Sequence, residues 1–160
     1  MNEEKYLLEE ITYSNKENSR IIEAVLKLWL KNPKNLNYMS PSSTYPFQFK
    51  RWTKQFYSPE IEKIKTIIVK HKDWIIGHGS IRVDNKLAQI FHIFIDEKFR
   101  RKGLASLLVK ELEKVSKTEA KTFTTNVVQK NIEAKMLYEK LGYKIINDLR
   151  TNWIKMEKST

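Results

Sequence analysis

Three apolar, β-branched runs lie almost end to end in the middle of this chain: Lys65–Lys70, Trp74–Val83 and Leu87–Ile95. Only His71-Lys72-Asp73 and Asp84-Asn85-Lys86 separate them. Turns of three residues join such runs into an antiparallel meander, with Gly77 and Gly79 inside its middle strand. After the meander the period changes. Leu104, Leu107, Leu108, Leu112 and Val115 share one helical face between Gly103 and Lys117. Phe123–Val128 reads as a strand. Asn131–Leu141 reads as a helix capped by Asn131 and stopped by Gly142. Tyr143–Ile146 and Trp153–Met156 are closing strands. This order predicts an α+β (mixed α/β) fold.

The first third is read with weaker signals. Tyr6–Tyr13 alternates and is a candidate first strand. Ser14-Asn15-Lys16-Glu17 has capping-box spacing, and Ile21, Val25, Leu28 and Trp29 recur at helical spacing behind it. Asn32-Pro33 ends that helix, because the residue before proline is pushed out of the α region. Residues 33–46 read as a loop. Pro46 opens a second helix carrying Phe49, Trp52 and Phe56 on one face, and Ser58-Pro59 breaks it. A chain of 160 residues is expected to form one domain, residues 1–160. The absence of cysteine excludes disulfides, a thiolate metal site and a cysteine nucleophile. The apolar stretches are too short to span a membrane, and Met1–Glu10 lacks the pattern of a signal peptide. A cytoplasmic protein is expected.

With 30 basic and 19 acidic residues the net charge is +11, which points to an anionic partner. The densest basic cluster is Lys98, Arg100, Arg101 and Lys102, at the junction of a strand end and a helix start. Helix N-termini present free N–H groups and a partial positive charge, and bind phosphate where the backbone is approachable. Gly103 and Ala105 are small enough to permit that approach. A Walker loop is absent, and a dinucleotide fingerprint needs three glycines where this segment has only Gly103.

The segment resembles motif A of the GNAT superfamily, the Gcn5-related N-acetyltransferases. That motif reads Gln/Arg-x-x-Gly-x-Gly/Ala, and Arg100, Gly103 and Ala105 match it. Where many members have Gly, this chain has Arg101. Asn131-Ile-Glu-Ala-Lys-Met-Leu-Tyr-Glu-Lys-Leu-Gly-Tyr143 resembles motif B, in which an Asn opens the helix, a Tyr follows seven residues later and Leu-Gly-Phe/Tyr closes it. That spacing is nearly two turns, so Asn131 and Tyr138 share a helix face. The resemblance is specific over residues 65–157; over residues 1–60 it rests on element order.

What the resemblance implies is a central mixed, mostly antiparallel sheet of about seven strands, flanked by helices and splayed between the fourth and fifth strands. It implies that the amides of Arg101, Lys102, Gly103, Leu104, Ala105 and Ser106 cradle the pyrophosphate of CoA. It further implies that the main chain of Ile93, Phe94 and Ile95 pairs with the pantetheine arm, and that an amide of Phe94 or Ile95 stabilises the oxyanion. The resemblance implies as well that Asn131 contacts the CoA arm and that Tyr138 protonates the leaving thiolate. Where members often carry an acidic base, this chain has His92 and Phe91. His92, with an ordinary pKa near ~6.5, is the candidate base, and His78 is a weaker one. His92 is otherwise a packed or surface histidine, or a water chain serves without a dedicated base. Tyr38, Tyr45, Phe47 and Trp52 are candidates for an acceptor pocket, as is the loop from Asn147 to Asn152.

The expected function is transfer of acetyl from acetyl-CoA to an amine of a small molecule or protein, by direct attack in a ternary complex without a metal. A non-catalytic CoA-binding or nucleic-acid-binding module on the same fold is the competing reading. Contact with nucleic acid or ribosome is open, as is the choice between monomer and homodimer.

Overall fold

The computed structural model describes residues 5–147 and 152–160. The elements run β1 (Tyr6–Ile11), α1 (Lys16–Leu30), α2 (Pro33–Met39), α3 (Phe49–Phe56), β2 (Ile64–His71), β3 (Trp74–Asp84), β4 (Leu87–Ile95), α4 (Leu104–Ser116), β5 (Thr122–Val128), α5 (Ile132–Lys140), β6 (Lys144–Asn147) and β7 (Trp153–Ser159). The strands form one seven-stranded sheet in the order β1-β2-β3-β4-β5-β7-β6. Every neighbouring pair is antiparallel except β4 and β5. The mixed α/β fold expected from the sequence is the fold observed. Among the described residues no helix is long and apolar enough to cross a membrane.

The meander forms as its spacing requires, with tighter turns than expected. His71 pairs with Trp74 and Asp84 with Leu87, so each turn has two residues. Asn85 and Lys86 both take positive φ (50° and 66°), the pattern of a type I′ hairpin. Side chains then alternate across the sheet. Ile67 and Val69 face a core built with Leu104, Leu108 and Leu112 of α4, whereas Ile68 and Phe94 face a second core under α1, α2 and α3.

Four expectations about the first third are corrected. Residues 33–39 are helix rather than loop. Pro33 ends α1 and also occupies the first turn of α2, where its missing N–H costs nothing, and the Asn32 side chain accepts from the Lys34 amide at 2.9 Å. The cap of α1 is Asn15, not Ser14: its side chain accepts from the amides of Glu17 and Asn18, both at 3.0 Å. The buried stripe of α1 is accordingly Ile22, Leu26, Trp29 and Leu30, with Ile21 and Leu28 exposed. Pro46 follows a cis peptide and precedes α3, which starts at Phe49.

β4 carries a bulge. The register against β3 shifts between His78 and Ser80, so that His92 and Ile93 together oppose Gly79, and His92 sits at φ 54°. The parallel ladder to β5 ends two residues earlier, at Ile90 and Thr125. From there β4 and β5 diverge, because a bulge bends its strand and increases the local twist. Gly79 lets this happen. A Cβ there would stand 2.5 Å from Ile93 Cδ1, 3.0 Å from Leu108 Cδ2 and 3.1 Å from Leu112 Cδ1. Overpacking of this kind costs about 1–3 kcal/mol, against which the unfolded-state entropy of glycine returns under ~1 kcal/mol. Gly79→Ala is therefore expected to lower the urea midpoint without changing the m-value; an unchanged midpoint would show that Ile93 simply turns aside.

Candidate active site

The divergence of β4 from β5 leaves a small, partly open cleft. Tyr38 and Met39 of α2 stand on one wall, Phe91, His92 and Ile93 of β4 on another, and the outer half of β5 with α5 closes the third. Asn131 and Tyr138 both line it. Their spacing places them on one face of α5, and the helix ends explain why that face is held still. The Asn131 side chain accepts from the Ala134 amide at 3.2 Å. At the other end Gly142 takes φ 96°, the Tyr143 amide donates to the Tyr138 carbonyl at 2.9 Å, and the Gly142 amide donates to that of Glu139 at 3.1 Å. This is a Schellman motif, whose usual apolar contact between the residue after the glycine and the last full turn is here the edge-on pair of Tyr143 and Tyr138, 5.2 Å between rings. Tyr143 is tied down in turn by donating to Glu113 of α4, which also meets Lys158 of β7 at 3.1 Å.

Tyr138 is buried, with only 3 % of its surface exposed. Burial, with the charge of Glu113 adding to it, pushes its phenol up to about 12. The group therefore keeps its proton over the whole working range and acts as a neutral donor. Thr125, which lines the same cleft, donates from Oγ1 to the Ile90 carbonyl at 3.1 Å, at the point where the β4–β5 ladder stops.

The basic cluster lies exposed at the start of α4. α1, α2 and α5 each have an asparagine side chain accepting their first amides; α4 begins at Gly103, which has no side chain to do so. The amides of Leu104, Ala105 and Ser106 thus face outward as donors. Gly103 stands at φ 77°, and a Cβ there would meet nothing within 4 Å, so the space before the helix is open. Arg101 takes φ 64°, the conformation for which glycine is suited, so the loop keeps its shape with an arginine in that place. Arg100 turns back instead: its Nε donates to the Ile95 carbonyl at 2.9 Å and its guanidinium lies 5.1 Å from the Phe94 ring. It fixes the end of β4 to the loop.

Both interior histidines of the meander are buried. His78 Nδ1 lies 2.8 Å from the His92 carbonyl and its Nε2 lies 2.7 Å from the Tyr13 hydroxyl. His92 has a hydroxyl on each ring nitrogen: Tyr57 at Nδ1, 2.9 Å, and Ser40 at Nε2, 3.1 Å. Its ring stacks on Trp52 at 4.6 Å and meets Phe56 edge-on at 4.7 Å. Behind it Tyr57, Ser80 and Thr66 continue the hydroxyl chain in steps of 2.8 Å, and Ser40 also takes the Trp52 indole N–H at 3.2 Å. Burial pushes His78 down to about 4, and burial with the neighbouring His78 pushes His92 well below the ordinary histidine range. The expectation of a titration near ~6.5 at His92 is corrected accordingly.

Residues 36–158 match the family model described as an acetyltransferase (GNAT) domain. The chain belongs to the GNAT acetyltransferase family. An uncharacterized protein of Bacillus subtilis, YyaT, is 31 % identical over 84 residues, which is 52 % of this chain and about half, 55 %, of that relative's length. The PaiA N-acetyltransferase of Thermoplasma acidophilum, solved with coenzyme A, has the same fold at a TM-score of 0.72, with 16 % identity over 98 % of this chain and 99 % of its own. The spermidine N-acetyltransferase of Vibrio cholerae, solved with CoA and spermine, aligns at 0.73 with 17 % identity over 96 % and 95 %.

In this GNAT domain the cleft gathers Tyr138, Asn131, His92 and Ile93, whereas the loop of Arg101–Ser106 stands at the start of α4. Of the aromatic candidates, Tyr38 lines the cleft. Trp52 is buried beside His92 and, with Phe47, lines a separate small opening; Tyr45 is exposed and donates to the Lys31 carbonyl. Most of the loop from Asn147 to Asn152 lies outside the described residues. Thr125, Tyr57, Ser40 and Tyr13 were not singled out in the sequence. Single hydroxyl residues carry no spacing signal, and three of these four reach the histidines from 12 or more residues away in the chain.

The two neutral imidazoles have a consequence for stability. Unfolded, each titrates near ~6.5, so below that pH the unfolded chain binds protons that the folded form excludes. Stability is then full above pH ~7 and falls as pH drops, by up to roughly 1.4 kcal/mol per pH unit for each histidine, until the folded groups themselves titrate near or below pH 4. Urea midpoints measured from pH 7 to pH 5 are expected to fall steadily; a flat profile would mean the rings are not held neutral.

Proposed function

We propose that this chain transfers an acetyl group from acetyl-CoA to an amine by direct attack in a ternary complex. The observation that carries the reading is the cleft itself. It has a neutral, buried phenol on one wall and, next to the end of its β4 wall, a helix start whose donors and open glycine suit a pyrophosphate. The amides of Arg101–Ser106, with the charges of Arg101 and Lys102, would hold the phosphates. Arg100 keeps the loop against the end of β4. The main chain of Ile93–Ile95 and the Asn131 side chain would line the pantetheine arm, an arrangement akin to strand addition. Acetyl-CoA supplies the thioester carbonyl and the thiolate leaving group. Tyr138 holds the proton that such a leaving group needs, and an amide of Phe94 or Ile95 is suited to a developing oxyanion. Relatives of the same fold crystallised with CoA support the cofactor, and the name of one supports an amine acceptor.

We assign His92 as the proton acceptor on the acceptor side. Both of its ring nitrogens face hydroxyls, so a proton reaches it by exchange through Ser40 or Tyr57 rather than by direct contact. The acceptor itself is an amine of a small molecule or protein; the aromatic surround of Tyr38 and Phe91 suits an apolar body next to it.

Turnover is expected across a panel of amines, read by thiol release. Tyr138→Phe should lower kcat by about 100-fold or more while acetyl-CoA still raises the melting temperature as in the parent. Binding without any turnover in the parent would leave a CoA-binding module, and no thermal shift at millimolar acetyl-CoA would end the reading altogether.

For His92 the test is the pH–rate profile. The acidic limb should lie well below pH ~6.5 and vanish in His92→Gln. A variant that keeps the parent's limb would give the proton to water.

A further inference from the structure

The bulge in β4 is a conformation that its own residue does not favour. A side chain at φ 54°, as at His92, is strained and persists only where its surroundings impose it. The ladder to β3 gives little help, since the residue opposite is Gly79 and the register breaks there. The His92 ring is held by Tyr57, Ser40 and Trp52, and the main chain of the bulge is gripped by the His78 ring, whose Nδ1 lies 2.8 Å from the His92 carbonyl in a fully buried position. A carbonyl oxygen only accepts, so Nδ1 carries the proton. A neutral ring has one N–H, so Nε2 is bare and must accept. It faces the Tyr13 hydroxyl at 2.7 Å, which donates. Tyr13 is in turn wedged among rings of the second core, 4.1 Å from Tyr57 and 5.9 Å from Trp52. The polar line therefore has one direction, from Tyr13 through His78 to the His92 carbonyl. Tyr13 lies outside the stretch that matches the family model, which begins at residue 36.

We propose that Tyr13 and His78 are positioning residues for acyl transfer. Together they hold His92 in its turned conformation, and so hold the main chain of Ile93–Ile95 along the cleft. They touch neither acyl group nor amine. The inference rests on the acyl-CoA reading of the cleft, because the geometry they maintain matters for rate only if a ligand lies along β4.

The test begins with the imidazole tautomer, read from two-bond nitrogen–proton correlations in 15N-labelled protein. His78 is expected as the Nδ1–H form, and an Nε2–H form would overturn the proposal. Kinetics follow. Misplacement of about an ångström costs up to ~100-fold in rate, so His78→Ala should lower kcat/KM for acetyl-CoA by at least about tenfold. His78→Asn, whose amide nitrogen can stand in for Nδ1, should recover most of that loss, and Tyr13→Phe should fall between. Backbone amide exchange should quicken over Phe91–Ile95 in His78→Ala but not over Ile67–Val69. A folded His78→Ala with parental kinetics, a His78→Asn as damaged as His78→Ala, or faster exchange spread evenly over the sheet would each refute it. If His78→Ala does not fold, the tautomer and the exchange pattern of Tyr13→Phe decide. These readings need no turnover, so failure of the lock is separable from failure to bind acetyl-CoA.

Discussion

Two parallel strands that hydrogen-bond along their whole length leave no place for a ligand between them. In this GNAT domain the ladder between β4 and β5 runs for four residue pairs and stops at Ile90 and Thr125, two residues before His92 turns to φ 54°. The cleft and the run of β4 main chain beyond the ladder follow from that turn. It needs room on one face, which Gly79 leaves for Ile93, and a grip on the other, which His78 provides through the His92 carbonyl. The other buried polar side chains of the meander are satisfied by one another, from Thr66 and Ser80 through Tyr57 to His92.

The helix starts divide the labour in a similar way. Asparagine caps close the N-termini of α1, α2 and α5. α4 lacks such a cap, begins on a glycine with open space in front of it, and follows the densest run of cationic side chains in the chain. A helix end left open in this way is costly unless solvent or a ligand meets its amides. Within the cationic run the roles separate. Arg100 is turned inward to the end of β4, whereas Arg101 adopts a backbone conformation made for glycine and keeps its side chain exposed.

Burial also sets the proton chemistry. It keeps Tyr138 protonated and keeps both histidines neutral, so the groups around the cleft present dipoles rather than charges. On the proposed acyl-transfer reading, a neutral donor of this kind would meet a developing negative charge without a compensating cation and without solvent reorganisation.

Local patterning carried the meander, both ends of α5 and the existence of the amphipathic helix α4, because strand alternation, helical period, an Asn cap and a Gly stop are each written in neighbouring residues; the α4 face itself is corrected, since Leu107 is exposed and Val109 is buried in its place. The Arg100–Gly103–Ala105 and Asn131–Tyr138 spacings are likewise contained within one loop or one helix face, and Asn131 and Tyr138 do line one cleft. The reading failed where one residue serves two elements, as Pro33 ends α1 and opens α2, and where a stripe is displaced by one position, as in α1. It did not reach the bulge. Nothing adjacent to His92 announces a positive φ; the cause lies in His78 on the next strand, Gly79 opposite and Tyr13, 65 residues away from His78 in the chain. Nor did it reach the low basicity of His92, because desolvation depends on Trp52, Phe56 and Tyr57 closing over the ring. Signals that act over a few residues are legible in the chain itself, whereas burial and long-range hydrogen bonds exist only once the sheet has brought their partners together.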